Sequence, residues 1–529
     1  MKITATVLLL AYTAGTVLAL NPIVIKGTKF FDSVTKDQFF IKGVAYQPRG
    51  NIKEATMDPL ADAAACARDA PLMARLGTNV VRVYEVDPRK NHDACMKSFS
   101  SAGIYLLLDI ATPQNSINRN QPEYGVQLYN AYKLTVDAFS RYDNVIGFIA
   151  GNEVTNDKTN TVASAYVKAA LRDIKAYIKT TKSRAIPVGY ASNDDEFIRD
   201  AIKDYFACGD EESQADFYGM NLYEWCGESS FEKSGFKERT QEFSTYNKPV
   251  FLSEYGCNLV TPRPFSEVAA IYGPDMTNVW SGGVVYEWTQ ENNRYGLVKI
   301  SDNGAAEVLT DYKYLKAQID QIRPVGVKMD QYNEQRQAPD CPAQTENWKA
   351  SVQLPPTPSE GACECMVQNL NCVASDKIAN TAAVGSSGVV TSSSVNSTLG
   401  GQLDTMCGLV SCQDIAGDGE KGVYGAFSFC SPRDKLSWLY NLKAKELMKT
   451  QPKTACYYNG FGQEIYPKRN DLATCAHVAP NLSGVLDNKA NPSDAHSVAS
   501  SAYNPFTSAH YGDAFVASII CLLAAIFFM

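Results

Sequence analysis

Histidine is scarce in this chain: there are four in 529 residues. His92 is the only one between residues 21 and 340. A Ser-His-Asp hydrolase or a His-ligated metal centre is therefore hard to build there. His92 itself, beside a predicted helix, reads as a surface residue. Basic charge is not in excess either. The 49 Lys and Arg are outnumbered by 57 Asp and Glu, for a formal charge of −8, which argues against a nucleic-acid partner that needs a basic face. No Walker loop or zinc-ligand His pair occurs, and no Gly-rich phosphate loop follows the first predicted strand. The C-terminal apolar run 514–529 has 16 residues, short of the about 20 that cross a bilayer.

What is present begins with the two ends. Lys2, the apolar stretch from Val7 and the small residues of Val17-Leu18-Ala19 form a secretory signal over 1–19, with the mature chain starting near Leu20 or Asn21. The run 514–529 reaches the C-terminus with no basic residue after it. A polar spacer and the small residues Ser500-Ser501-Ala502 precede it. That is the layout of a glycosylphosphatidylinositol signal, with attachment at Ser500 and removal of 501–529; a tail-anchored helix is the alternative. Of the 15 Cys, Cys521 lies in this tail, and the remaining 14 suit seven disulfides in a secreted chain. Asn396 and Asn481 open sequons for glycosylation.

Between residues 38 and 322 strand-like and helix-like segments alternate. Strands are expected at 39–43, 79–83, 105–109, 145–150, 186–190, 217–223, 250–254 and 283–288. Their near-continuous apolar character fits a parallel sheet buried on both faces. The clearest helix is 162–178, with Val162, Tyr166, Ala169, Ala170, Ile174 and Ile178 on one face. Eight βα units in this length predict an α/β fold, a (β/α)8 TIM barrel over 20–335; a doubly wound open sheet is the rival. A Pro-rich linker is expected over 336–361. A Cys-rich module follows over 362–480, with eight Cys between Cys363 and Cys475, then a polar stalk over 481–500.

Two carboxylates stand where such a barrel places its chemistry, at the C-terminal ends of strands. Glu153 follows the fourth strand in Gly151-Asn152-Glu153, and Glu254 ends the seventh in Ser253-Glu254-Tyr255-Gly256. Paired glutamates across a sugar cleft are the working parts of a glycosidase; helix-capping or ion-paired glutamates are the bland alternative. In a retaining enzyme Glu153 is the acid/base and Glu254 the nucleophile, with carboxyls about 5–5.5 Å apart and an activity peak at mildly acidic pH. Asn152 is placed to hold the sugar 2-hydroxyl, and Tyr223 to donate to Glu254. Gln47, Tyr84, Glu85, Asp109, Asn193, Asp194, Asp195, Trp225, Tyr286, Glu287 and Trp288 end strands on the same rim. Amides and carboxylates there suit sugar hydroxyls, and aromatic faces suit pyranose C–H faces.

With these residues in view, the chain closely resembles the fungal Gas/Gel/Phr glucanosyltransferases, glycoside hydrolase family 72. The likeness is carried by Ile41-Lys42-Gly43-Val44-Ala45-Tyr46-Gln47-Pro48, Arg82-Val83-Tyr84, Gly151-Asn152-Glu153, Asn221-Leu222-Tyr223-Glu224-Trp225-Cys226, Ser253-Glu254-Tyr255-Gly256-Cys257 and Gly283-Val284-Val285-Tyr286-Glu287-Trp288. The resemblance implies a transglycosidase that cleaves an internal β-1,3-glucan bond and passes the new end to the non-reducing end of an acceptor glucan. It implies no metal and no organic cofactor. It gives Glu153 and Glu254 the same two roles and makes Tyr84, Asn152, Asp194, Arg199 and Tyr286 glucan contacts. It also implies the disulfides Cys66–Cys95, Cys208–Cys341 and Cys226–Cys257. The Cys-rich block, through Tyr424-Gly425-Ala426-Phe427-Ser428-Phe429-Cys430 and Tyr457-Tyr458-Asn459-Gly460-Phe461-Gly462, is similar to the X8-type glucan-associated module (carbohydrate-binding family 43). A monomer held by its lipid anchor on the outer face of the plasma membrane, or in the cell wall, is expected. The residues alone reach only a retaining β-glycosidase-type enzyme. An endo-β-1,3-glucanase and a non-catalytic wall lectin stay open beside the transferase.

Overall fold

The computed structural model describes residues 20–47, 58–380 and 398–467. The signal segment, Pro48, Asn396, Asn481, Ser500 and the C-terminal apolar run lie outside the described residues. The chain opens with an antiparallel hairpin, β1 (Ile23–Lys26) and β2 (Lys29–Asp32). Eight parallel strands then close a barrel in sequence order. They are β3 (Ile41–Ala45), β4 (Val80–Val83), β5 (Tyr105–Asp109), β6 (Val145–Asn152), β7 (Val188–Asn193), β8 (Tyr218–Asn221), β9 (Val250–Tyr255) and β10 (Trp280–Val285). A helix follows each: α1 (Ala63–Leu76), α2 (Asp93–Ser101), α3 (Val126–Phe139), α4 (Ala163–Thr181), α5 (Arg199–Ala207), α6 (Phe236–Phe243), α7 (Glu267–Ile271) and α8 (Thr310–Ile319). A small hairpin, β11 (Val298–Ile300) and β12 (Ala306–Val308), lies between β10 and α8.

Strands buried on both faces have no polar side, which is why they read as unbroken apolar runs. Every residue of β5 and β9 is buried. The helices instead show one apolar face: α4 turns Tyr166, Val167, Ala170, Leu171, Ile174 and Ile178 inward. Several strand ends differ from expectation by two or three residues, and two of these shifts have a plain cause. β7 starts at Val188 because Pro187 has no N–H to give the ladder. β10 starts three residues earlier than the expected 283, at the fully buried Trp280.

The β1–β2 hairpin plugs the N-terminal mouth of the barrel. Phe30 packs against Phe217 and Phe251, at ring separations of 6.2 and 6.4 Å. Phe217 fills the interior so closely that a Cβ at Gly189 would fall 2.2 Å from its ring. His92 is not a surface residue: it is 1% exposed, shares a 2.8 Å hydrogen bond with Asp58 and packs on the ring of Phe139 at 4.5 Å. The segment before α1 thus holds this imidazole through Asp58, and the Cys66–Cys95 disulfide ties α1 to α2.

The chain divides into two compact units. The first holds the barrel, the Pro-rich segment through Pro358 and the short hairpin of Gly417–Asp418 and Val423–Tyr424. The segment expected as a linker packs along the barrel over most of its length, because Trp348 offers it an apolar anchor. Trp348 is 1% exposed and its ring lies 5.2 Å from that of Tyr205. The Cys208–Cys341 disulfide fixes the start of that segment. The hairpin sets Tyr424 edge-on to Tyr166, and Gly419 accepts a hydrogen bond from the Ser351 N–H. The second unit contains the helices Glu360–Gln368, Leu399–Cys407 and Pro432–Leu447 around Phe427, Trp438, Leu439 and Tyr440. Cys363–Cys430, Cys372–Cys456 and Cys407–Cys412 cross-link it, and Cys365 is also disulfide-bonded. A core this small needs such staples.

Candidate active site

Glu153 sits directly after β6, where the pairing with β7 shifts register between Ile149 and Asn152. Such irregularities re-aim side chains at barrel rims. Its backbone has φ of +48°, a region that costs a non-glycine residue of order 1–3 kcal/mol. The Glu153 N–H bonds to the Ala191 carbonyl at 2.9 Å, and Arg119 donates to the Glu153 carbonyl at 2.7 Å. The carboxyl is held by Asn221, whose Nδ2 donates to Oε1 at 2.7 Å and to Asn152 Oδ1 at 3.1 Å. Ser253 Oγ donates to Asn221 Oδ1 at 2.7 Å and sets that amide's orientation.

Glu254 lies in β9 opposite Asn221, at a register shift between β8 and β9. The Tyr84 hydroxyl donates to its Oε1 at 2.9 Å and the Tyr223 hydroxyl to its Oε2 at 2.8 Å. Arg82 Nη1 stands 3.4 Å from Oε1. The site therefore gives each carboxylate oxygen a tyrosine donor. Burial pushes the Glu254 carboxyl above the ordinary glutamate range; Arg82 opposes this most strongly, the charge of Glu153 adds to it, and the two tyrosine hydrogen bonds oppose it further. Burial, then the charge of Glu254, drives both tyrosines well above the usual phenol range, so they stay protonated donors.

Arg82, in the Arg82-Val83-Tyr84 segment, has a role that only the folded strands reveal. Its side chain is fully buried in β4 and forks onto Asp109 with bonds of 3.1 and 2.8 Å. It also donates to the Ser253 carbonyl at 3.1 Å and lies 4.5 Å from the Tyr84 ring centroid. Asp109 is thus engaged with Arg82 rather than presented to a sugar hydroxyl. Asn221, likewise without a role in the sequence reading, is the group that holds Glu153. A charged or amide side chain inside an apolar strand was the available signal.

The remaining rim residues divide. Gln47 Oε1 accepts from the backbone N–H groups of Tyr84 and Glu85, at 3.2 Å each. Tyr286 forms an aromatic wall with Tyr84 and Tyr295, at 6.4 and 5.2 Å, and Tyr295 continues it to Tyr223 at 5.9 Å. Asp194, just past β7, pairs with Arg199 at 3.0 Å. Asn193 bonds to the Asn156 carbonyl, and Asp195 caps the turn into α5. Trp225 and Trp288 are core residues rather than sugar platforms: Trp225 bonds to Ser266 and packs on Phe236, and Trp288 is fully buried. Glu287 accepts from Asn293. Cys226–Cys257 joins the loops after β8 and β9. Among the described residues no group of acidic, His or Cys side chains is arranged to hold a metal ion.

Two carboxyls at the C-terminal ends of barrel strands, one held by an amide and one by phenol and guanidinium donors, suit acid/base work beside nucleophilic attack. Comparison with known proteins agrees with that chemistry. Residues 13–323 match the family described as glucanosyltransferase. The chain belongs to this family. Residues 386–463 match the X8 domain. This glucanosyltransferase is 44% identical over 429 residues to the 1,3-beta-glucanosyltransferase GAS2 of Saccharomyces cerevisiae, covering 78% of this chain and 74% of that one. It is 45% identical over 465 residues to a 1,3-beta-glucanosyltransferase of Arthroderma benhamiae, covering 83% and 82%. Its structure matches that of Saccharomyces cerevisiae Gas2p in complex with laminaritriose and laminaritetraose, with a TM-score of 0.74, 43% identity and coverage of 82% and 94%.

Proposed function

We propose that this glucanosyltransferase elongates β-1,3-glucan by a retaining double displacement. Glu153 donates its proton to the glycosidic oxygen of an internal donor bond while the Glu254 carboxylate attacks the anomeric carbon. The C–O bond breaks, the reducing-end fragment leaves, and a glycosyl-ester on Glu254 remains. Glu153, now ionised, takes the proton from the 3-hydroxyl at the non-reducing end of an acceptor glucan. That oxygen displaces Glu254 and a new β-1,3 bond forms. The observation that carries this reading is the opposed anchoring of the two carboxyls, Glu254 by Tyr84, Tyr223 and Arg82 and Glu153 by Asn221. Tyr286 with its aromatic wall, Asn152, and the Asp194–Arg199 pair supply glucan contacts. Gln47 supports that cleft from behind Tyr84. Donor and acceptor are both β-1,3-glucan, and the reaction uses no cofactor.

We propose further that the enzyme is a secreted monomer with glycans at Asn396 and Asn481; the signal-like residues 1–19 support the secretory route. A lipid anchor at Ser500 holds it to the outer face of the plasma membrane or passes it to the cell wall. Among the described residues no helix is long and apolar enough to cross a membrane.

A single reduced-end β-1,3-gluco-oligosaccharide separates transfer from hydrolysis. Products longer than the starting sugar are expected. Only shorter products, at high acceptor concentration, would make the protein an endo-β-1,3-glucanase. Glu254→Gln is expected to lose at least about a thousandfold in kcat while still binding the oligosaccharide. Unchanged turnover would leave a binding protein with no catalytic use for Glu254.

A further inference from the structure

One further pair of carboxyls stands on this rim. Asp194 lies just past β7 and Glu224 just past β8, neighbouring strands in which Asn193 is opposite Asn221. The two side chains are hydrogen-bond partners of one another. Ionised carboxylates only accept hydrogen bonds, so this contact needs a proton.

The surroundings favour Glu224 as the group that keeps it. Arg199 Nε and Arg239 Nη1 reach Asp194 Oδ1 at 3.0 and 3.3 Å, and Arg239 Nη2 reaches Glu242 at 2.7 Å. Two guanidiniums thus face two carboxylates, Asp194 and Glu242. Lys203, also facing Glu242, is shared between Asp204 at 3.0 Å and Asp200 at 3.7 Å and adds no free cation. Ionised Glu224 would put a third carboxylate against the same two cations. Burial, and next the charge of Asp194, push Glu224 up to about 8. The fold makes room for this arrangement. Gly235, before α6, has φ of +77°, and a Cβ there would lie 2.2 Å from Glu224 Oε2.

The pair touches both halves of the chemistry through its chain neighbours. Tyr223, preceding Glu224, donates to Glu254 at 2.8 Å. Asn193, preceding Asp194, bonds at 2.8 Å to the Asn156 carbonyl in the loop that follows Glu153. We propose that Glu224 is a positioning residue, its proton shared with Asp194 so that the ends of β7 and β8 are locked together and Asp194, Arg199 and Tyr223 are held in register with the glucan. This rests on the glucan reading above. Loss of the proton sets Asp194 against Glu224 and releases the lock.

The test uses the secreted chain carrying Glu254→Gln, which binds without turning over. Its Kd for a reduced-end β-1,3-gluco-oligosaccharide is measured by calorimetry between about pH 6 and about pH 9, a range that spans the titration of Glu224. Binding is expected to weaken by about tenfold as pH rises through that range, the worth of one hydrogen bond to a charged group. Adding Glu224→Gln, which keeps a donor and carries no charge, should flatten the profile. Adding Glu224→Leu should weaken binding by about the same tenfold at every pH. An unaltered pH profile in the Gln variant overturns the proposal, and that comparison stands even if the Leu variant fails to fold. Separately, the infrared difference between the parent and its Glu224→Gln variant at neutral pH should contain the carbonyl stretch of a protonated carboxyl; its absence also overturns the proposal. Failure of the parent to bind at any pH would remove the glucan reading and the positioning role with it, while the infrared band alone would still report where the proton sits.

Discussion

At Glu254 two effects compete. Burial favours the neutral acid, while Arg82 and two tyrosine hydroxyls favour the carboxylate that must attack. Because the carboxyl is raised overall, the acid limb of kcat/KM should lie above that of a solvated glutamate, and activity should fall as pH drops through it. Tyr223→Phe removes one hydrogen bond to the charged form. The Glu254 carboxyl then rises further, the acid limb moves to higher pH, and the loss is greater at acid pH than at neutral pH. A uniform loss at every pH would show that Tyr223 does not tune the carboxyl. Arg82 gives a separate prediction. Arg82→Met leaves Asp109 buried without its cation, which should cost about 3–5 kcal/mol in denaturant unfolding. The double variant Arg82→Met with Asp109→Leu should recover most of that stability yet stay inactive, because Glu254 still lacks its guanidinium. Recovery of turnover in the double variant would reduce Arg82 to a structural role.

At the scale of elements, the Cys226–Cys257 disulfide joins the loops three residues past Tyr223 and three past Glu254. It staples donor to acceptor. Replacing both cysteines by serine should cost about 2–4 kcal/mol of stability. More tellingly, it should shift the acid limb of kcat/KM in the same direction as Tyr223→Phe; a stability loss without that shift would make the bridge a general brace. The elements themselves were legible because a barrel strand is buried on both faces and shows in sequence as an apolar run. The carboxylates after β6 and near the end of β9 stood out for the same reason, as charges ending such runs. The β1–β2 hairpin was not legible, since Ile23–Lys26 and Lys29–Asp32 are short and take their meaning from Phe217 and Phe251 across the barrel mouth. Arg82 and Asn221 were hidden similarly: their partners Asp109, Glu254 and Glu153 are remote in sequence and meet them only on closure. Trp225 and Trp288 misled because an aromatic at a strand end points to core or cleft according to a register the sequence does not display.

At the scale of the whole chain, the barrel's compact unit is not continuous in sequence. It ends at Pro358 and resumes for Gly417–Tyr424. That hairpin covers Tyr166 on α4 with the ring of Tyr424 at 5.8 Å, bonds Gln353 through the Tyr424 hydroxyl at 3.1 Å, and pairs the Ser351 N–H with Gly419. A secreted chain cut after Pro358 keeps every residue assigned to the chemistry, yet uncovers Tyr166 and leaves the Ser351 N–H to water. Burial of one aromatic side chain contributes about 1.5–3 kcal/mol. The cut chain should therefore melt several degrees below a chain ending after residue 480, which keeps Cys475, since about 1 kcal/mol moves the Tm of a domain this large by about 2–4 °C. Tyr424→Ala in the longer chain should reproduce most of the difference without removing any of the second unit's disulfides. If the cut chain melts at the same temperature, the hairpin lies on the barrel without bracing it. If it melts lower and Tyr424→Ala does not, the Tyr424 ring is not the brace.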